Sequence, residues 1–428
     1  MHVATTFQFL AGRRAAIFDI AADPGALFVG GLLVLSAAFA RNYDQAPLQQ
    51  QPWRLLGPFV ASLAISGPLF LTIYGIGRSK GMKGPGIGKA YRSFLSLYWM
   101  TAPLAWLYGI PYETFLAPVD AVHANLCTLA VVSAWRVALM VRVVSVLFNL
   151  RVRAALPFVM LVADTAALVA LFLVPLPVIS VMGGVNPENQ DIAATALLVA
   201  FFGLLSLPVW SVLAGTAAYS SRTMPEWTAP PMVEPPARSR HAVAFAVLAC
   251  VFWAALLPFT QPAQNRAWQV DQAYRARGPA AALALMSAHK RSDFPVTWQP
   301  PPSRFPSEPS TTKFLDVLEA LADRPQPEWV RAVYVSRLRD HYAQGFGEGE
   351  WPNEGLKVYA PRLVSIITRL PEGPEIAREI AGAYNGMNYL IDLDEHVTPE
   401  QRSALKAILR LAGNPIDDRP TAPDRTSR

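Results

Sequence analysis

Residues 192–219 read IAATALLVAFFGLLSLPVWSVLAGTAAY, 28 positions without one Asp, Glu, Lys, Arg or His. A helix needs roughly 20 apolar residues to cross a hydrocarbon core of about 30 Å, since its backbone polar groups must be satisfied within it. This stretch exceeds that length. Working outward, comparable runs occupy His241–Phe259 on one side and Leu156–Val181, Leu126–Leu147, Phe94–Tyr108, Leu55–Ile76 and Ile20–Ala40 on the other. The run ending at Tyr108 is the shortest and begins as early as Ala90 if it is to span. The expected fold is all-α: a polytopic bundle of about seven transmembrane spans over 20–260, followed by a small soluble α-helical domain.

Composition supports that division. The whole chain is 52% hydrophobic and 16% charged, with a net charge of +6. Up to Thr260 there are 16 Lys/Arg against 10 Asp/Glu, and from Gln261 onward 21 of each, so the excess belongs to the apolar part. A sequence pI near 9.3 therefore reflects loop charges beside a bilayer and gives no reason to expect nucleic acid as a partner. Cys127 and Cys250 both lie in apolar runs, where a thiol behaves as a small hydrophobe, and no disulfide framework or thiolate metal site is encoded.

Orientation follows from the short loops. Arg78, Lys80, Lys83, Lys89 and Arg92 lie between the second and third runs, and Arg13, Arg14, Arg151, Arg153, Arg222, Arg238 and Arg240 share their side, twelve in all. The opposite loops hold only Arg41 and Arg54. Residues 1–19 are thus expected in the cytoplasm and everything after the seventh span outside it. Ala38-Phe39-Ala40 has the small-x-small form of a signal-peptidase site, but Asp19 and Asp23 interrupt the region that should be basic and then apolar.

The exported part reads as a proline-rich connector with a helix over 261–312, an α-helical domain over 313–413 and a disordered tail over 414–428. Ile376, Ile380, Ala383, Met387 and Leu390 recur at helical spacing, as do Phe314, Val317, Leu318 and Leu321. Thr398-Pro399-Glu400-Gln401 is a capping box opening a helix with Leu405, Ile408 and Leu409. Tandem helix pairs could stack as a repeat, although no period is clear.

Three ionisable side chains lie within spans: Arg136 and Arg142 in the fourth and Asp164 in the fifth. The two spans run antiparallel about a short turn, which sets Asp164 at a depth between the arginines and predicts an ion pair. The plain reading is a structural clamp, with Arg142 reaching to the interface. The alternative is a gate, proton relay or anion site, for which Ser133 is the only nearby polar addition. Pro68 and Pro208 remove helical hydrogen bonds and can kink their spans, a device of some transporters. The loop Gly75–Lys89 is rich in glycine and lysine, but a P-loop needs Gly where Lys83 stands and Ser or Thr where Ala90 stands. It reads as a flexible cytoplasmic turn whose Arg78, Lys80, Lys83, Lys89 and Arg92 touch anionic lipid heads. Asp392, Asp394, Glu395 and His396 form an acidic cluster without EF-hand spacing, read as a solvated helix end. There is no HExxH, no GxSxG and no lysine in the seventh span, so no metal, cofactor or catalytic residue is assigned.

Several passages resemble a family of polytopic bacterial membrane proteins of unknown function, mainly of planctomycete type: Ala21-Ala22-Asp23-Pro24, Ala40-Arg41-Asn42-Tyr43-Asp44, Pro52-Trp53-Arg54, Tyr91-Arg92-Ser93-Phe94-Leu95, Trp99–Tyr108, Trp135-Arg136-Val137 and Ser292-Asp293-Phe294-Pro295. The resemblance covers Gly12 to about Pro302 and implies a bacterial inner membrane, with no activity to carry over. The leading expectation is a non-enzymatic envelope scaffold that binds a protein partner through 313–413. A transporter or channel built on Arg136 and Asp164 is the alternative, and a membrane-embedded enzyme acting on lipid or cell-wall precursors the third.

Overall fold

The computed structural model describes residues 2–41, 47–112, 115–173, 187–220, 225–230, 240–295, 298–302, 311–343, 352–383 and 397–413. Every regular element among them is helical. They divide into two compact units at Asn265 and Arg266.

The first unit holds α1 (Val3–Leu10), α2 (Arg14–Ala22), α3 (Ala26–Ala40), α4 (Gly57–Ser79), α5 (Ile87–Trp99), α6 (Pro118–Leu147), α7 (Val152–Leu173), α8 (Pro187–Tyr219) and the first part of α9 (Arg240–Arg277). Five helices, α4 and α6 to α9, are long and apolar enough to cross a membrane, and α2 with α3 makes a sixth if the bent pair counts as one span. Their outer faces are apolar: Phe201, Phe202, Leu204, Leu248, Val251 and Phe252 are each about 60% exposed, a surface that suits hydrocarbon and is costly in water.

Two expected spans are not straight helices. The first bends by 107° between α2 and α3. Pro24 disfavours helical backbone at Asp23, which is extended at ψ 116°, and the Asp23 carboxylate accepts the Gly25 N–H at 2.7 Å. The third begins earlier than the apolar run suggests, at Ile87, and ends as an α-helix at Trp99; a 3-10 segment, Ala102–Gly109, completes it. Pro68 and Pro208, expected as kinks, lie inside α4 and α8, which continue through them unbroken.

The segment 1–19, expected as an N-terminal lead-in to the first span, supplies side chains to the core together with the start of that span. Phe9, Ala16, Ile17 and Ile20 are fully buried. Gly12 turns the chain from α1 to α2 at φ +71°, a left-handed conformation that glycine adopts without a Cβ penalty. Gly30 lets α3 and α5 touch, since a Cβ there would lie 2.8 Å from the Trp99 Cβ.

The second unit holds the end of α9, α10 (Pro279–Ser287), α11 (Thr311–Asp323), α12 (Glu328–Ala343), α13 (Pro352–Ile367), α14 (Gly373–Ala383) and α15 (Pro399–Leu411). The predicted faces form its core: Phe314, Val317, Leu318, Leu321, Ile376, Ile380, Leu405, Ile408 and Leu409 are buried. Ala383 is exposed, and Met387 and Leu390 lie outside the described residues. The capping box is present, with Gln401 N donating to Thr398 Oγ1 at 3.2 Å and Thr398 N to Gln401 Oε1 at 2.9 Å. The proline-rich connector also joins the core: Tyr334 Oη donates to Pro301 O at 2.8 Å, and the buried Arg337 donates to Pro302 O at 2.7 Å and to Pro300 O.

In this unit α11 packs on α13 and α12 on α14, while the neighbours α10 and α11, and α14 and α15, also pack together, as do α13 and α15. The contacts of α11 with α13 and of α12 with α14 each carry an arginine–carboxylate ladder, of opposite polarity. Asp316, Glu319 and Asp323, at i, i+3 and i+7 along α11, meet Arg362 and Arg369. Glu372, Glu375 and Glu379, with the same spacing, meet Arg331 and Arg339. Single exposed pairs contribute only about 0.2–1 kcal/mol, so the ladders act mainly by fixing register.

The Arg362 guanidinium holds the Glu319 carboxyl below its ordinary value. Burial pushes Glu379 up, but donation from Arg339 and Tyr342 outweighs it and leaves that carboxyl low as well. Depressed carboxylates stabilise the fold above the unfolded value, and that contribution is lost as pH falls through the folded one. Hydrogen exchange on the full chain should therefore show protection of α11 to α14 unchanged from pH 7 to 5 and falling below about pH 4. Glu319→Gln should flatten that fall. Unaltered acid sensitivity in the variant would show that the ladder does not hold these helices.

Candidate functional site

The three ionisable side chains of the apolar helices α6 and α7 do not meet. Among the described residues no ion pair joins Arg136 or Arg142 to Asp164, and each has its own partner. Arg136 lies over the Tyr98 ring with its Cζ 5.6 Å from the centroid. Arg142 Nε donates to Gly12 O at 3.2 Å. Asp164 accepts from Ser206 Oγ. The expected pair fails because α7 packs most closely against α8, which turns Asp164 toward Ser206, while the Arg136 face of α6 meets Tyr98 of α5.

Arg142 belongs to a set of donors that satisfy the broken N-terminal segment. Trp135 Nε1 donates to Leu10 O at 2.9 Å. On the other side of α2, Ser93 Oγ donates to Ala21 O and Arg92 Nη2 to Pro24 O, both at 2.8 Å. These carbonyls sit where helices end, so they lack intrahelical donors.

Asp164 lies in a groove of about 630 Å³ between α7 and α8. Met160, Thr195, Ser206 and Trp210 line it, and Gly203 lets Leu168 approach to within 3.3 Å of where a Cβ would stand. Trp210 Nε1 is buried and has no hydrogen-bond acceptor among the described residues. A carboxylate, a hydroxyl and an indole N–H in an apolar groove can hold a small hydrogen-bonding group or a proton. Sequence reading named Asp164 but missed Trp210, although Gly203, Ser206 and Trp210 recur at three and four residues on one face of α8.

The basic loop is held in place. Tyr74 Oη donates to Pro85 O at 2.7 Å, Met82 N bonds Gly77 O at 2.8 Å, and Gly81 turns at φ +85°. Its five cations have different fates. Arg78 donates to Met82 O at 3.0 Å and Lys80 to Ser220 O at 2.8 Å. Lys83 is exposed. Lys89 and Arg92 line a cavity of about 1110 Å³ together with Gly84, Gly86, Gly88 and Trp227. Asp392, Asp394, Glu395 and His396 lie outside the described residues, and among the described residues no group of three His, Cys, Asp or Glu side chains could hold a metal.

Comparison with protein families, with characterised proteins and with solved structures returns no match for this chain.

Removing a capping donor should cost more than altering Asp164. Trp135→Phe and Arg142→Met each leave a helix-end carbonyl bare and should lower stability by about 0.5–2 kcal/mol. Asp164→Asn keeps an oxygen for Ser206 and should change it by less than about 0.5 kcal/mol. Thermal unfolding of the full chain in detergent reads the difference, and a loss in Asp164→Asn as large as in Arg142→Met would restore the charge pair.

Proposed function

We propose that the chain is a seven-pass protein of a bacterial inner membrane, and that its second unit is a non-enzymatic, extracytoplasmic module that binds an envelope protein. The five long helices, the bent α2 and α3, and α5 with its 3-10 continuation make up the seven crossings. An odd count puts the two ends on opposite sides, and the twelve-to-two loop asymmetry puts the second unit outside.

The observation that carries the binding role is the stacking of the second unit. Short helices packed on one another and pinned by two arginine–carboxylate ladders resemble helical-repeat proteins, whose extended surfaces bind other proteins. Val358 on α13 is a large apolar side chain, 55% exposed in this otherwise well-buried unit.

A second reading, transport, draws on the Asp164 groove. It has one carboxylate and one indole N–H without an acceptor among the described residues, and Arg136 is not among its lining residues.

A periplasm-active reporter fused after Arg428 should be active and one inserted after Gly81 silent; the reverse pattern would overturn the topology. A photocrosslinker at Val358 or Lys357 should give a discrete adduct in intact cells, absent when it is placed at Phe172 on α7. Adduct-free second-unit positions, combined with a flux that Asp164→Asn abolishes, would favour transport instead.

A further inference from the structure

Arg92 borders two hollows. One is the basic cavity, where Lys89 and Arg92 stand over the backbone of Gly84, Gly86 and Gly88 with Trp227 at the side. The other is a groove of about 450 Å³ lined by Leu27, Phe28, Gly31 and Leu35 of α3, Phe59 of α4 and Trp99 of α5. On α5 the residues Lys89, Arg92 and Trp99 share a face, so the two hollows follow one helix for about 15 Å. Along it the lining changes from cationic to apolar.

That gradient selects the ligand. A free anion would use the first hollow alone, and a hydrocarbon chain the second alone. Arg92 donates one N–H to Pro24 O at 2.8 Å, which fixes its head at the junction and leaves further N–H groups of the fork for an anion. The nearby carboxylate, Asp23, accepts the Gly25 N–H. Trp227 is the amphipathic side chain expected at headgroup depth, and it packs edge-on against Phe148 with centroids 5.4 Å apart.

We propose that these two hollows form one binding site for an anionic diacyl phospholipid, its phosphate on Lys89 and Arg92 and an acyl chain along the α3 groove. The site goes beyond diffuse attraction between a basic loop and a charged leaflet, because it assigns Lys89 and Arg92 to the ligand and leaves Arg78 and Lys80 to the loop. Gly31 is its width gauge. A Cβ there would lie 3.5 Å from the Trp99 ring and 4.0 Å from Phe59, so a larger side chain fills the groove.

The full chain, purified in detergent, is offered phosphatidylglycerol or phosphatidylcholine and weighed by native mass spectrometry. One phosphatidylglycerol should be retained per chain, with phosphatidylcholine held at least about fivefold less. Lys89→Gln should lower the retained phosphatidylglycerol about fivefold, and Gly31→Leu should lower it comparably although it touches no charge. Lys83→Gln, which removes a loop charge outside the cavity, should leave it unchanged. Equal retention of the two lipids, wild-type retention in Lys89→Gln, or an equal loss in Lys83→Gln would each overturn the proposal. So would complete displacement by millimolar inorganic phosphate, the mark of a bare anion site. Lys89 is exposed, so its substitution leaves the core intact and decides the matter if Gly31→Leu does not fold.

Discussion

Where the chain breaks its helix after Leu10 and again at Asp23, carbonyl oxygens lose their intrahelical donors and need others. The first unit answers with side chains of α5 and α6: Trp135 and Arg142 reach Leu10 O and Gly12 O, and Ser93 and Arg92 reach Ala21 O and Pro24 O. The break is therefore tied to packing. Because α2 must lie within reach of those donors, its apolar face of Ala16, Ile17, Ile20 and Ala21 is buried, and α3 emerges from the bend against α5, where Gly30 allows contact with Trp99. The bent segment and the helices that cap it specify one another.

The second unit meets a related constraint. Its proline segment has carbonyls but no N–H groups at Pro300, Pro301 and Pro302, so no regular ladder can absorb them. Tyr334 and Arg337 supply the donors from α12. The Arg337 guanidinium also lies 5.2 Å from the Phe314 centroid, so one planar cation both pairs the carbonyls and closes the core. Arginine suits this work better than lysine, because a fixed fork donates to several acceptors at once. The ladders between α11 and α13 and between α12 and α14 use the same property.

What the sequence made legible was whatever rests on length and period. The apolar runs from Leu55, Leu126, Leu156, Ile192 and His241 are helices, and the faces of Phe314 and Ile376 and the Thr398 capping box stand where the pattern put them. The rest depends on which face meets which neighbour. Depth along the chain set Asp164 between Arg136 and Arg142, but depth says nothing about rotation, and the closer packing of α7 on α8 gave the carboxylate to Ser206. The Asp23-Pro24-Gly25 bend could have been read from local chemistry, since proline disfavours helix at the preceding residue and Asp caps the turn. The apolar run simply outweighed it. The acidic triplets Asp316, Glu319, Asp323 and Glu372, Glu375, Glu379 were also visible at i, i+3 and i+7, yet only the arginines they meet in the fold give them meaning.

The same distinction bears on the basic side of the bundle. A positive-inside count treats Arg78, Lys80, Lys83, Lys89 and Arg92 as equal charges, and for orientation they are. Placed in the fold they are unlike. Arg78 and Lys80 donate to backbone carbonyls and so rigidify the loop that carries them, whereas Arg92 donates to Pro24 O and also faces a cavity that Lys89 shares. A loop held still by two of its cations presents the others at fixed positions. Ordering of the loop is thus what turns a topological signal into a surface with a shape, and a shape is what can distinguish one anionic lipid from the field of all of them.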